Sequence, residues 1–399
     1  MSPPQEALVA GAGVAGLSAA IALARAGWRV RVLERAPLLE EVGAGLQISP
    51  NAAAILRSWG VLERLSGRAL APEALRIRSA GDGRELLRMP LGAIAELRWG
   101  APYLVVHRAD LISALIEQAA RQPALVIETG VEVVGFAPSQ TSIQVATRRN
   151  GESERRDANL FVGADGLRSS VRERLGLGLA DRPVWSGRTA WRALLEAGRA
   201  PPHAMRLETC LWLGPRAHLV HYPLRGGELI NVVAITQDDW RGASDGDFWS
   251  ASGEAAQLRP FFAHWHAEAR ELLHAVVEWR RWPLFDRNVA DRWSDSRVVL
   301  VGDAAHPMLP FLAQGAAQSI EDAHALAHAL SSHATIELAL SAFERERIPR
   351  TSEIQLASRR QGTIYHLGGP AALVRDFAMR RLSVERTLRR LDWIYRSGA

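Results

Sequence analysis

The segment "VAGAGVAG" near the start of the chain places Gly11, Gly13 and Gly16 between a short apolar run and residues that repeat at helical spacing. At this spacing the first glycine permits a tight turn, the second lets backbone approach a pyrophosphate, and the third lets helix and strand pack. The phosphates then rest on the N–H groups that the start of a helix leaves without partners. Glu34 ends the next strand-like run, "RVRVLER", where a carboxylate accepts hydrogen bonds from an adenosine ribose. Strand, turn, helix, strand and acid in this order predict an adenine dinucleotide site. The pattern alone leaves FAD and NAD both open.

Two more turns carry an acid after an apolar strand: "VGADGLRSSVR" with Asp165, and "VGDAAHPMLP" with Asp303 and His306. That is more than one NAD site requires. In "HLVHYPLR" the period of a strand puts His218 and Tyr222 on one face and His221 on the other. A histidine so placed either moves protons or simply bonds a backbone carbonyl, and the spacing leaves both open. Arg108 precedes a helical run in "HRADL", and Gln47 sits in the loop "GAGLQISPNA"; each could hold a ligand or face solvent. All 48 basic residues are arginines, which excludes Schiff-base chemistry and a Walker lysine. The lone Cys210 excludes an intrachain disulfide and a cysteine-based cluster, and no metal site is expected.

These residues need elements to carry them. A chain of 399 residues predicts two or three domains or one large α/β unit. Residues 7–34 read as a βαβ unit, "ALVIETGVEVVGF" as one strand, "RNGE" as a hairpin turn, and residues 158–176 as strand, turn and helix. Between about 181 and 285 the texture changes to antiparallel strands turned by "LGPR" and "LRGGE". The expected fold class is α/β: a Rossmann-like dinucleotide domain (1–75, 100–180 and 286–365) and an inserted mixed or antiparallel sheet domain (76–99 and 181–285). Residues 366–399 close the chain, with 373–396 read as one amphipathic helix that docks on its own domain or on a dimer mate. A net charge of +5 spread along the chain does not point to nucleic acid. No apolar run approaches the length of a transmembrane helix, and with one cysteine the chain reads as cytoplasmic.

Taken together over nearly the whole chain, the glycine loop with Glu34, the "GADG" turn and the "GD" pair resemble the single-component FAD-dependent aromatic hydroxylases, typified by 4-hydroxybenzoate, 3-hydroxybenzoate and salicylate hydroxylases. The resemblance implies bound FAD. One glycine fingerprint implies that NAD(P)H binds only in passing. Asp303 would face the ribityl chain, the N–H groups of Gly315 and Ala316 the flavin pyrimidine edge, and Arg108 the phosphates, while Asp165 belongs to a turn near both nucleotides. Ala15, Arg35 and Val131 complete the implied cofactor contacts.

The implied reaction is hydroxylation of a small hydroxylated aromatic or heteroaromatic carboxylate by a flavin hydroperoxide formed with O2, with or without loss of a carboxyl group. His218 and Tyr222 would be the catalytic residues, with Gln47 and Pro310 against the substrate; His221 and His306 are expected to be structural. Pro310 stands where some 3-hydroxybenzoate relatives have glutamine, and Gln318 and Ser319 where relatives often have apolar residues, which bears on the substrate. The alternatives are a larger polycyclic or quinolone-type substrate, or a flavin-binding regulator without activity. A homodimer is compatible with either.

Overall fold

The computed structural model describes residues 5–39, 44–139, 141–176, 182–238 and 251–396; Gly43, the first residue of the Gln47 loop, lies outside them. Among the described residues the strands form four sheets. The first is six-stranded, in the order Ser294–Asp295, Val298–Leu300, Leu160–Gly163, Glu6–Ala10, Arg29–Glu34, Leu125–Thr129. Its neighbours run parallel except for the hairpin at the Ser294 edge. Parallel strands must be buried on both faces, and Leu8, Val9, Val30, Val32, Phe161 and Val162 are each at most 1% exposed. Helix Val14–Arg25 covers one face and packs against helix Gly315–Ser332. Its Leu17, Ile21 and Leu23 are fully buried, each contributing about 1.5–3 kcal/mol.

The second sheet has eight strands, in the order Ala251–Gly253, Trp279–Asp286, Val184–Glu196, Leu229–Gln237, Ala217–Leu224, Glu208–Gly214, Ala74–Ser79, Glu85–Pro90. It is antiparallel except where Ala74–Ser79 runs parallel to Glu208–Gly214. The expected mixed or antiparallel sheet is therefore present, and its "LGPR" and "LRGGE" turns join consecutive strands. A three-stranded sheet holds the "RNGE" hairpin, with Asn150 and Gly151 both at positive φ, as a tight hairpin turn of this hand demands. Gly45–Ile48 pairs with Leu104–His107 and carries Gln47 to the junction of the two large sheets.

Two local expectations are corrected. "ALVIETGVEVVGF" is two strands, Leu125–Thr129 and Glu132–Pro138, in different sheets; Gly130, at φ 69°, breaks the run. The final helix is three: Gly369–Arg380, Val384–Arg389 and Asp392–Tyr395. Ser383 caps the second of these by accepting from Arg386 N at 3.3 Å, which makes a new helix start inside a continuous apolar period. No described helix is long and apolar enough to cross a membrane.

Candidate active site

Two helix N-termini face one cleft of about 310 Å³. Helix Val14–Arg25 starts from Gly13 and helix Gly315–Ser332 from Gln314; neither has a side-chain cap or an acid in its first turn. Their first N–H groups are thus left for a ligand, and the helix dipoles favour an anionic one. The glycine loop is shaped by contact. Gly11 has φ +99°, and a Cβ on Gly16 would lie 1.8 Å from the Gly11 carbonyl oxygen. A Cβ on Gly13 would meet nothing within 4 Å, so that residue borders open space.

Ala15, Arg108, Asp303, Gly315 and Ala316 line the same cleft. Asp303 is exposed to its interior; the surrounding protein pushes its carboxyl pKa up, against the charges of His306 and Arg108. Glu34 braces the loop, accepting from Ala12 N at 2.8 Å and from Ala36 N at 2.9 Å. Asp165 accepts from Ser170 N at 2.7 Å and Val171 N at 3.2 Å, and so caps the short helix Ser170–Leu175. Neither Arg35, which is exposed, nor Val131, which is buried, lines the cleft.

The cleft meets a second, mostly apolar cavity of about 910 Å³, and Gln47, His218, Val220, Pro310 and Ala313 line both. Strand Ala217–Leu224 turns His218 and Tyr222 toward this junction, while His221 faces the opposite way and accepts from Trp212 Nε1 at 3.3 Å. His218 is 2% exposed, and its Nδ1 lies 2.8 Å from His366 Nε2. The rings of Phe311 and Tyr365 stand 5.5 and 5.3 Å from it, centroid to centroid. Burial, then His366 and Arg188, hold the His218 pKa well below its ordinary value, so the ring is neutral. Burial and Arg188 likewise bring His366 down to about 3.

Gln47 is held by tyrosines. Its side-chain oxygen accepts from the Tyr103 hydroxyl, Tyr222 bonds the same amide, and Tyr395 packs on Tyr103 at 5.9 Å. Burial raises the pKa of all four tyrosines in the chain, that of Tyr365 to about 12, so each keeps its proton. A Cβ at Gly45 would lie 2.6 Å from the Tyr222 ring, which explains the glycine there.

Comparison with known proteins agrees with this arrangement. Residues 5–355 match the FAD binding domain family. The chain is 33% identical over 400 residues to 3-hydroxybenzoate 6-hydroxylase of Klebsiella oxytoca, covering 99% of this chain and 97% of that one. It is 39% identical over 395 residues to 3-amino-4-hydroxybenzoate 2-monooxygenase of Streptomyces platensis, covering 97% and 94%. Among solved structures, a salicylate hydroxylase–substrate complex superposes with a TM-score of 0.82 at 25% identity, covering 99% of this chain and 96% of that one. The chain belongs to the FAD-dependent aromatic hydroxylase family. It is an FAD-dependent monooxygenase.

The cleft suits FAD on its own evidence: two uncapped helix starts, a glycine with open space beyond it, and an acid and an arginine on the walls. His306, expected to be structural, lines neither cavity. It is 3% exposed, packs on Trp293, and places Nε2 2.5 Å from Asp322, which also accepts from Gly302 N and Arg347 Nε, both at 2.9 Å. Burial disfavours the Asp322 charge, but His306 and Arg347 outweigh it and bring its carboxyl down to about 2. The network holds the "GD" turn. Gln318, read as bearing on the substrate, lines neither cavity; its side-chain oxygen accepts from Arg347 at 2.7 Å. Ser319 lines the cleft and donates to Gly315 O at 2.9 Å.

Arg192, His366, Tyr103 and Tyr395 went unnoticed in the sequence. Arg192 lies on Val184–Glu196, lines the cleft, and makes no ion pair among the described residues; the Trp282 ring, 5.2 Å away, is its recorded neighbour. Burial and Arg108 push its pKa down. The available signal was an arginine inside the apolar run "AWRALL". For Tyr103 and Tyr395 it was scarcity, since every one of the four tyrosines lines one of these two cavities.

Proposed function

We propose that this monooxygenase uses NAD(P)H and O2 to hydroxylate a hydroxylated aromatic or heteroaromatic carboxylate, and that residues 1–75, 100–180 and 286–365 hold FAD while 76–99 and 181–285 hold the substrate. The observation that carries the reading is the neutral, buried His218 at the junction of the cleft and the apolar cavity. FAD, when bound, would supply the redox chemistry that consumes NAD(P)H and O2, one oxygen atom entering the ring and the other leaving as water.

The protein's own residues do the rest. Gly13 leaves room, the helix start at Val14 and Ala15 offers N–H groups that would face the pyrophosphate, and Gly11 and Gly16 give the turn its close packing. Glu34 holds that loop beside the ribose, and Arg108 would add a phosphate-binding guanidinium. Asp303 would accept from the ribityl hydroxyls, and the Gly315–Ala316 helix start would stabilise negative charge on the flavin. With Nδ1 engaged by His366, His218 offers its neutral Nε2 as a hydrogen-bond acceptor to the phenolic hydroxyl, and drawing that proton toward nitrogen makes the ring a better nucleophile. Tyr222, still protonated, donates to the substrate oxygen, and Arg192 supplies positive charge beside it. Gln47 aligns Tyr222, and Pro310 with Phe311 shapes the wall and excludes water.

The test is a panel of phenolic and hydroxypyridine carboxylates offered to the yellow holoenzyme with NADH or NADPH. At least one should speed nicotinamide oxidation manyfold and yield a product one oxygen heavier, or that product less carbon dioxide. If every compound leaves the oxidation rate at its basal value, or drives only hydrogen peroxide release, the reading fails.

A further inference from the structure

The cavity beside His218 is far larger than the ring it is expected to take. A closed apolar cavity of about 150 Å³ accommodates one benzene ring. This one measures about 910 Å³, in the range of about 300–1,000 Å³ that houses much larger ligands. The excess is not flavin space, because the cleft between the helix N-termini is separate and shares only the residues at the inner end.

Its chemistry is divided along its length. The inner end, shared with the cleft, holds the polar groups Gln47 and His218, with Tyr103 bonded to Gln47. Beyond them the walls are aliphatic: Ile77, Leu87 and Met89 from the eight-stranded sheet on one side, Met379, Leu382 and Leu391 from the C-terminal helices on the other. Met89 is 2% exposed and Ile77 5%, so the sheet side is interior wall, while the helix side opens to solvent at Val374 and Ala378. Polar side chains are a minority of this lining, namely Thr209, Gln361, Arg375 and Thr387, with Arg390 at the exposed rim, so most of the wall offers water no partner.

We propose that the substrate is an aromatic acid carrying an aliphatic substituent of pentyl length or longer, its ring beside His218 and its chain lying between the sheet and the C-terminal helices. This rests on the hydroxylase reading and refines its substrate class. The chain adds affinity by leaving water, each buried methylene being worth up to about fourfold in binding.

The holoenzyme is tested with 2,4-dihydroxybenzoates bearing methyl, propyl, pentyl or heptyl at position 6, and with 3-hydroxybenzoate. Nicotinamide oxidation and product mass are followed together, and Kd is taken from the absorption change of the bound flavin. The specificity constant should rise at least about tenfold from methyl to pentyl, and Kd should fall in parallel. In Ala378→Trp, which brings bulk to the aliphatic wall from an exposed helical position, that gain should shrink to about twofold or less. Values that stay flat or worsen with chain length while the ring is still hydroxylated overturn this proposal alone. If no member of the panel speeds nicotinamide oxidation, the hydroxylase reading falls and takes the proposal with it.

Discussion

His218 and His366 face each other through one hydrogen bond, Nδ1 to Nε2 at 2.8 Å, although 148 positions separate them in the chain. Phe311 and Tyr365 complete a ring of aromatic neighbours, so the imidazole of His218 has one orientation and one engaged nitrogen. On the proposed reading its remaining nitrogen serves the substrate.

Removing that partner should therefore cost rate more than affinity. His366→Leu leaves His218 Nδ1 without a partner, and kcat for hydroxylation is expected to drop by about tenfold to hundredfold with KM changed less than threefold. His366→Asn, which keeps a hydrogen-bonding group, should recover part of the loss. Equal rates in the wild type and the leucine variant from pH 6 to 9 would refute the role.

Acid should destabilise this fold early. His221 and His366 are held at about 3 in the folded chain, against an ordinary value of 6.5, mainly by burial. Below the ordinary value the unfolded chain binds protons that the folded chain refuses, so stability is lost as pH falls from about 6.5 and is fully present above it. The melting temperature should hold between about pH 7 and 8 and decline steadily toward about pH 5. A flat profile over that lower range contradicts the burial of these rings.

Two glycines of one loop should fail in different ways. Gly16→Ala drives a Cβ into the Gly11 carbonyl and should cost about 3 kcal/mol or more, seen as a low melting temperature or insoluble protein. Gly13→Val puts its bulk into open space at the cleft, so the protein should fold but purify colourless, with FAD affinity down at least about tenfold. The pair is informative because sequence distance is nearly the same and only the direction of the Cβ differs.

Arg192 is the mirror case, a charge on the cleft wall that burial disfavours. Arg192→Met removes a charge without an ion-pair partner among the described residues, and the melting temperature of the FAD-free protein should stay level or rise. Binding of an aromatic carboxylate, read from the flavin absorption change, should weaken at least about tenfold. A variant that melts lower and binds normally would make Arg192 a packing residue.

The dinucleotide half of the molecule was legible because its signals are local. Gly11, Gly13, Gly16 and Glu34 lie within one βαβ unit, and Asn150–Gly151 announces its own turn. Strand parity sufficed to separate His218 from His221. What could not be read was anything made by distant segments meeting: the His218–His366 bond, the Tyr103–Gln47–Tyr222 set, and the network that removes Gln318 from the substrate wall. Two boundaries were missed for a different reason. Apolar period runs straight through Gly130 and Ser383, and only the left-handed backbone at the first and the helix cap at the second show the break.

The chain is also an ordering device in time. The strand Val298–Leu300 must reach its place beside Leu160–Gly163 before the "GD" turn exists, and the residues up to Tyr395 must arrive before the cavity beside His218 has its second wall. A ribosome delivers these parts after the glycine loop and Glu34. A nascent chain can assemble its nucleotide cradle while the other wall of its reaction chamber is still being made, so the cavity beside His218 becomes sheltered only after the residues up to Tyr395 have emerged.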